Sequence, residues 1–430
     1  MSGWRVTGAM VRATAIAATV TLAGLVLGRP DLLVLAAPFG LVCALGLAHA
    51  PRTEVSSRVQ LADRWLHEGQ STRLRIDLES GQGLEQATAT LSPPAFVVAQ
   101  PASGMVAATP HAGKDFSLEL SISPRRWGVR PAGSGMLAAT SHWGGYRWGP
   151  QRIPEVTLIA LPETRAFTSD ESPHPVGLIG QNRSRRGGDG SEFFAIRPFQ
   201  AGDRLRRVNW RTTLRTGEVH VVGTTAQEDS SLMILLDAVT DVGTSGGLDG
   251  EPSTLDVAVR AASALAAHHI AVGDRVALRV LGRTNQVLGP GTGVRHQRRL
   301  QELLAQVQPG WPDLLGSRHL RFRAGAGTVV VVLSPMLTPE VTTSMVTLAR
   351  RGLTVVAVDT LAPQTLPEPA HDPCSAARLA WRMRLVEREM QVTEVTRRGI
   401  PVVPWRGPGT LDDVLRRLAR RSRLPREVSR

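Results

Sequence analysis

Two apolar runs open the chain, at about residues 13–28 and 32–50, with only Arg29, Pro30 and Asp31 between them. A helix crossing a bilayer core takes about 17 to 25 residues, so the pattern predicts a transmembrane helical hairpin over residues 1–51. Pro38 interrupts the second run, which a membrane helix tolerates when neighbours satisfy the freed carbonyl. The small residues Ala48, His49 and Ala50 resemble a cleavage site. A signal sequence, however, has one apolar core of about 7 to 15 residues, and two broken cores exceed it.

From residue 54 the period shortens to two. Residues 73–78 (RLRIDL) and 116–122 (FSLELSI) alternate apolar and polar positions between Gly, Pro and Ser, and 156–161 (VTLIAL) closes the region. Alternation places the apolar side chains on one sheet face, so residues 52–162 are expected to form a β-sandwich-like domain. A polar, proline-containing stretch around residues 168–175 then marks a boundary. Residues 163–228 are a linker and a motif-dense segment.

Beyond residue 229 continuous apolar strands alternate with helices. Strands are expected at 231–237, 275–281, 328–333 and 353–359, and helices at 253–270, 294–307 and 339–351, followed by two more helices. The last starts at Thr410 with Asp413 in capping position, Leu411, Val414, Leu415 and Leu418 on one face, and Arg416, Arg417, Arg420 and Arg421 on the other. Strands buried on both faces and joined by helices require a mostly parallel, doubly wound α/β sheet over residues 229–430.

Charge adds topology more than partners. The formal charge is +13, but Lys114 is the only lysine, so arginine carries nearly all of the positive charge. No recognition helix, zinc finger or aromatic-interleaved basic stripe accompanies it, and no specific nucleic-acid partner is expected. Arg5 and Arg12 precede the hairpin, Arg52 and Arg58 follow it, and Asp31 offsets Arg29. The positive-inside bias puts both ends, and the bulk of the chain, on the cytoplasmic side of the cell membrane. Cys43 and Cys374 form no disulfide framework or metal motif.

The densest chemistry lies between residues 187 and 221, where glycines, carboxylates, a run of arginines and one tryptophan come together. Guanidinium forks hold carboxylates bidentately. Glu192, Asp203, Arg197 and Arg206 therefore suit an internal ion-pair lattice with Trp210 beneath it. The same residue types also suit a docking face, since Trp and Arg dominate binding hot spots. No histidine, cysteine or phosphate loop stands beside the carboxylates, so no catalytic residue is assigned and an enzyme is not expected.

Gly190, Glu192, Phe193, Arg197, Pro198, Gly202, Asp203, Arg206, Asn209, Trp210 and Arg215 fall at the spacing of the DUF58 proteins, which the segment resembles. Glu192, Phe193, Arg197, Asp203, Arg206, Asn209, Trp210 and Arg215 are the candidate interaction residues. The resemblance implies a membrane-anchored protein with a von Willebrand factor A-like domain that works with a MoxR-type AAA+ ATPase in protein assembly or maturation at the cell envelope. It thus favours a non-enzymatic adaptor. The alternatives are a cation-dependent adhesion module or an enzyme of undefined chemistry. A von Willebrand A domain often binds Mg²⁺ through Asp-x-Ser-x-Ser, but here Val239 and Asp241 replace the serines. Asp237, Thr240 and Asp241 remain as a reduced site for weak Mg²⁺ binding, with capping or turn roles as the alternative; no other cofactor is expected.

Overall fold

The computed structural model describes residues 3–51, 55–79, 84–109, 116–164, 187–200, 205, 208–225, 231–311, 328–367, 370, 372 and 375–405. The chain divides into two compact units: Met1–Leu161 with Gly247–Asp249, and Pro162–Gly246 with Gly250–Arg430. The helix expected from Thr410 lies outside the described residues.

The hairpin consists of α1 (Gly8–Val26) and α2 (Pro30–Ala48). Both helices are long and apolar enough to cross a membrane. α1 starts before its apolar run because Thr7 caps it, accepting from Met10 N at 3.2 Å. The turn is also tighter than the polar break suggests. Gly28 takes a left-handed φ of 64°, and Pro30 opens α2 with Asp31 in its first turn, favourable both sterically and for the dipole. Close packing needs Gly24, where a Cβ would approach Leu32 Cβ to 3.2 Å.

Before the hairpin runs β1 (Trp4–Val6), a strand too short to show in the sequence pattern. After the hairpin come β2 (Ser56–Leu61), β3 (Trp65–His67), β4 (Thr72–Glu79), β5 (Leu84–Ser92), β6 (Val97–Gln100), β7 (Met105–Ala108), β8 (Phe116–Pro124), β9 (Gly128–Pro131), β10 (Ser134–Ser141), β11 (Tyr146–Arg152) and β12 (Thr157–Leu161). They form sheets of order β1-β11-β10-β5-β7, β2-β4-β8-β6 and β3-β12-β9. β4 and β8 pair antiparallel, with Ile76 opposite Leu118. One buried cluster joins Leu74, Ile76, Leu118 and Leu120 to Ala87, Ala89, Leu137 and Trp148 of the five-stranded sheet, which is the sandwich expected from the alternation. Because β1 pairs with β11 and β2 lies in the same unit, both ends of the hairpin sit on one side of it. Thr7 reinforces this junction, donating to Gly144 O at 2.6 Å.

The second unit begins with β13 (Gly187–Pro198), α3 (Trp210–Thr216) and β14 (His220–Thr225). The six-stranded sheet that follows uses β15 (Ser231–Asp237), β16 (Arg275–Leu281), β17 (Val287–Gly291), β18 (Val329–Ser334), β19 (Thr354–Asp359) and β20 (Val402–Pro404). Its order is β17-β16-β15-β18-β19-β20, parallel except for the antiparallel edge strand β17. The α-helices of this region are α4 (Thr254–Val272), α5 (Val294–Ala305), α6 (Pro339–Arg350) and α7 (Ala376–Arg397). α4 also has the length and composition of a membrane span, but 72% of its positions are buried, against 11% and 17% in α1 and α2. It is therefore a core helix of this α/β region, opened by a Ser253/Asp256 capping box.

Candidate functional site

Of the expected metal-site residues, Asp237 ends β15 and Thr240 and Asp241 follow it, at the carboxyl edge of the sheet where open α/β folds bind ligands. Asp237 is 1% exposed. Its Oδ1 accepts from Val239 N at 3.0 Å and its Oδ2 from Ser334 Oγ at 2.6 Å. Ser334 in turn accepts from Met336 N at 2.9 Å, a turn in which Met336 has a φ of 53°. Burial pushes the Asp237 carboxyl up to about 6, and the bonds from Ser334 and Val239 only partly oppose it.

Asp241 is committed elsewhere. Oδ2 accepts from Ser253 Oγ at 3.2 Å, and Oδ1 from Thr254 Oγ1 at 3.2 Å and Leu255 N at 3.0 Å, so the side chain holds the first turn of α4. Thr240 Oγ1 lies 3.4 Å from Thr338 Oγ1. Among the described residues no group of three or more His, Cys, Asp or Glu side chains is placed to hold a metal ion. Sequence reasoning did not anticipate Ser334 as the partner of Asp237, because the two are 97 residues apart. Asp359, at the end of β19, pairs with Arg388 of α7.

The motif-dense segment is organised around a two-stranded ribbon. Its glycine-rich start is extended in β13, and a register irregularity between Gly188 and Phe193 takes up the glycines. Glu192 and Phe193 belong to β13; Asp203 and Arg206 lie outside the described residues. Arg197 stands opposite Val221 of β14 and donates to Pro198 O at 3.2 Å. Asn209 is the N-cap of α3, accepting from Thr212 N at 3.0 Å, and Gly217 closes the helix with a left-handed φ of 78°. Arg215 occupies the last turn, where a cation complements the dipole.

Trp210 is 67% exposed and Leu214 83% exposed. Four residues apart, they share a helix face. Phe199, Leu205 and Val219 of the same segment are exposed as well. The expectation packed Trp210 beneath an ion-pair lattice; Trp210 is instead largely exposed, and Asp203 and Arg206 of that lattice lie outside the described residues.

Residues 195–374, from the second half of β13 to just before α7, match the family model described as protein of unknown function DUF58. That stretch is a DUF58 region. The match begins in the ribbon whose spacing suggested it and omits the hairpin and the sandwich. No curated protein matches this chain. Among solved structures, a conjugative transposon lipoprotein from Bacteroides eggerthii DSM 20697 is 8% identical with a TM-score of 0.15, covering 24% of this chain and 95% of its own. The reelin-N domain of F-spondin is 12% identical with a TM-score of 0.17, covering 28% and 98%. Scores this low fix neither fold nor function.

Proposed function

We propose that this DUF58 protein is a non-enzymatic adaptor, anchored in the cell membrane by α1 and α2 with its bulk on the cytoplasmic side, that docks a MoxR-type AAA+ ATPase during protein assembly or maturation at the envelope. The observation that carries the docking role is the outward face of α3. A tryptophan and a leucine in a row, with Arg211 and Arg215 on the same short helix, have the composition of a hot spot. Their exposure gives the folded unit no stability that would otherwise explain them. The ATPase partner and the envelope role come from the family resemblance.

The α/β unit is read as von Willebrand A-like, supported by its sheet order and its single antiparallel edge strand. The adhesion alternative is the weaker reading, because the oxygens of Asp237 and Asp241 already accept hydrogen bonds from their own unit. Affinity capture from native membranes, with intact protein and with a form lacking residues 229–430, tests the adaptor reading. The account expects an AAA+ ATPase with the intact form. Failure of the intact form to recover one contradicts it.

A further inference from the structure

The helix α7 is fixed on one side and, among the described residues, exposed on the other. Inward, Trp381 and Val395 are buried. Arg384 donates to Leu337 O, and Arg388 donates to Pro335 O at 2.7 Å and pairs with Asp359. Outward stand Leu379, Met383 and Val386, each 61% exposed, and Met390, 62% exposed. Their spacing of four, three and four residues is that of the a and d positions of a two-stranded coiled coil, and at 1.5 Å per residue the stripe runs about 16 Å. Four large apolar side chains in one row differ from the scattered apolar residues of an ordinary surface.

Charge says what the stripe fits. Arg382 and Glu389 are seven residues apart, so they flank the stripe on the same side, and both are exposed with no ion pair among the described residues. The amino-terminal half of the helix carries Arg378, Arg382 and Arg384; the carboxyl-terminal half carries Glu387, Glu389 and Glu394 beside Arg397 and Arg388, which pairs with Asp359. We infer that this face is a two-fold interface between two copies of the chain, with the α7 helices antiparallel. Met383 then faces Val386 of the second copy, Leu379 faces Met390, and Arg382 lies beside Glu389 twice by symmetry. Opposed helix dipoles favour the same orientation. Parallel pairing would instead set the attraction of Arg382 for Glu387 against the repulsion of Glu389 by Glu394, and it would align the dipoles. The interface is small, so membrane anchoring, which rests on the proposed function, strengthens it by confining both copies to one bilayer.

Full-length protein carrying Cys43→Ser and Cys374→Ser tests the inference by oxidative cross-linking in native membranes and again in detergent, which separates failure of the interface from failure of the anchor. Leu379→Cys and Met390→Cys forms bearing different tags are co-expressed. A mixed disulfide is expected between them and none in cells with Leu379→Cys alone. Met383→Glu, at an exposed position, should halve the particle mass in detergent while leaving the melting temperature unchanged. A Leu379→Cys self-cross-link would overturn the antiparallel pairing. A monomer that forms no cross-link at 379 or 390 would overturn the interface. So would shielding of these cysteines from a water-soluble maleimide by lipid vesicles without cross-linking, which would place the stripe on a membrane surface.

Discussion

Replacing Asp237 by asparagine should make the α/β unit more stable at neutral pH. The carboxyl is 1% exposed, and burial lifts it to about 6 from an ordinary value near 3.8. A shift of roughly two units corresponds to about 3 kcal/mol, the order of the cost of keeping this side chain ionised at pH 7.5. Because the folded value is the raised one, the native state binds the proton more tightly between about pH 4 and 6. Stability therefore falls as pH rises through that window and levels off above it. Asparagine Oδ1 still accepts from Val239 N, its Nδ2 donates to Ser334 Oγ instead of accepting from it, and it has no charge to desolvate. Urea unfolding of wild type and Asp237→Asn in detergent, from pH 4 to 8, isolates the contribution as a difference. The expected result is an advantage for the variant that grows from near zero at pH 4 to at most about 3 kcal/mol at pH 7.5. A variant weaker than wild type at pH 7.5 would refute the reasoning, and so would millimolar Mg²⁺ that stabilises wild type alone, because the carboxylate would then be a ligand.

Trp210→Ala should change unfolding free energy by no more than about 0.5 kcal/mol, the usual range for exposed sites, while weakening ATPase capture; a loss of several kcal/mol by denaturant titration would restore the buried-lattice reading. Reporter fusions after residues 161 and 430 should be active only as cytoplasmic reporters, and export of either would contradict the assigned topology. Purified protein should show no ATPase or hydrolase turnover of its own in steady-state assays, since its chemistry-bearing residues form no nucleophile-base pair in the sequence. Turnover abolished by a single substitution would overturn the non-enzymatic reading.

What the sequence disclosed was what local periodicity can carry. The run SLMILLD gives β15 its full extent, and RVALRVL does the same for β16. β17 escaped notice because its sequence, VLGPG, has the composition of a turn, which an edge strand tolerates. β1 and β20, three residues each, depend wholly on tertiary pairing. In the ribbon, the motif residues were visible but not their roles: Asn209 caps α3, and only the fold shows that Trp210 faces solvent. The bonds from Ser334 to Asp237 and from Asp241 to the start of α4 join distant residues, so no local pattern announces them. The outer stripe of α7 was written in its spacing, yet Trp381, Leu385 and Val392 put a second apolar row on the inward face and hide which row is free.

The central claim, docking through the outward face of α3, is tested most directly with full-length protein in nanodiscs and the purified AAA+ ATPase recovered with it. Binding by wild type is compared with that of Trp210→Ala and Leu214→Ala. Each substitution is expected to weaken binding at least tenfold, about 1.4 kcal/mol, with unchanged melting temperature. Equal affinity for all three proteins would contradict the account.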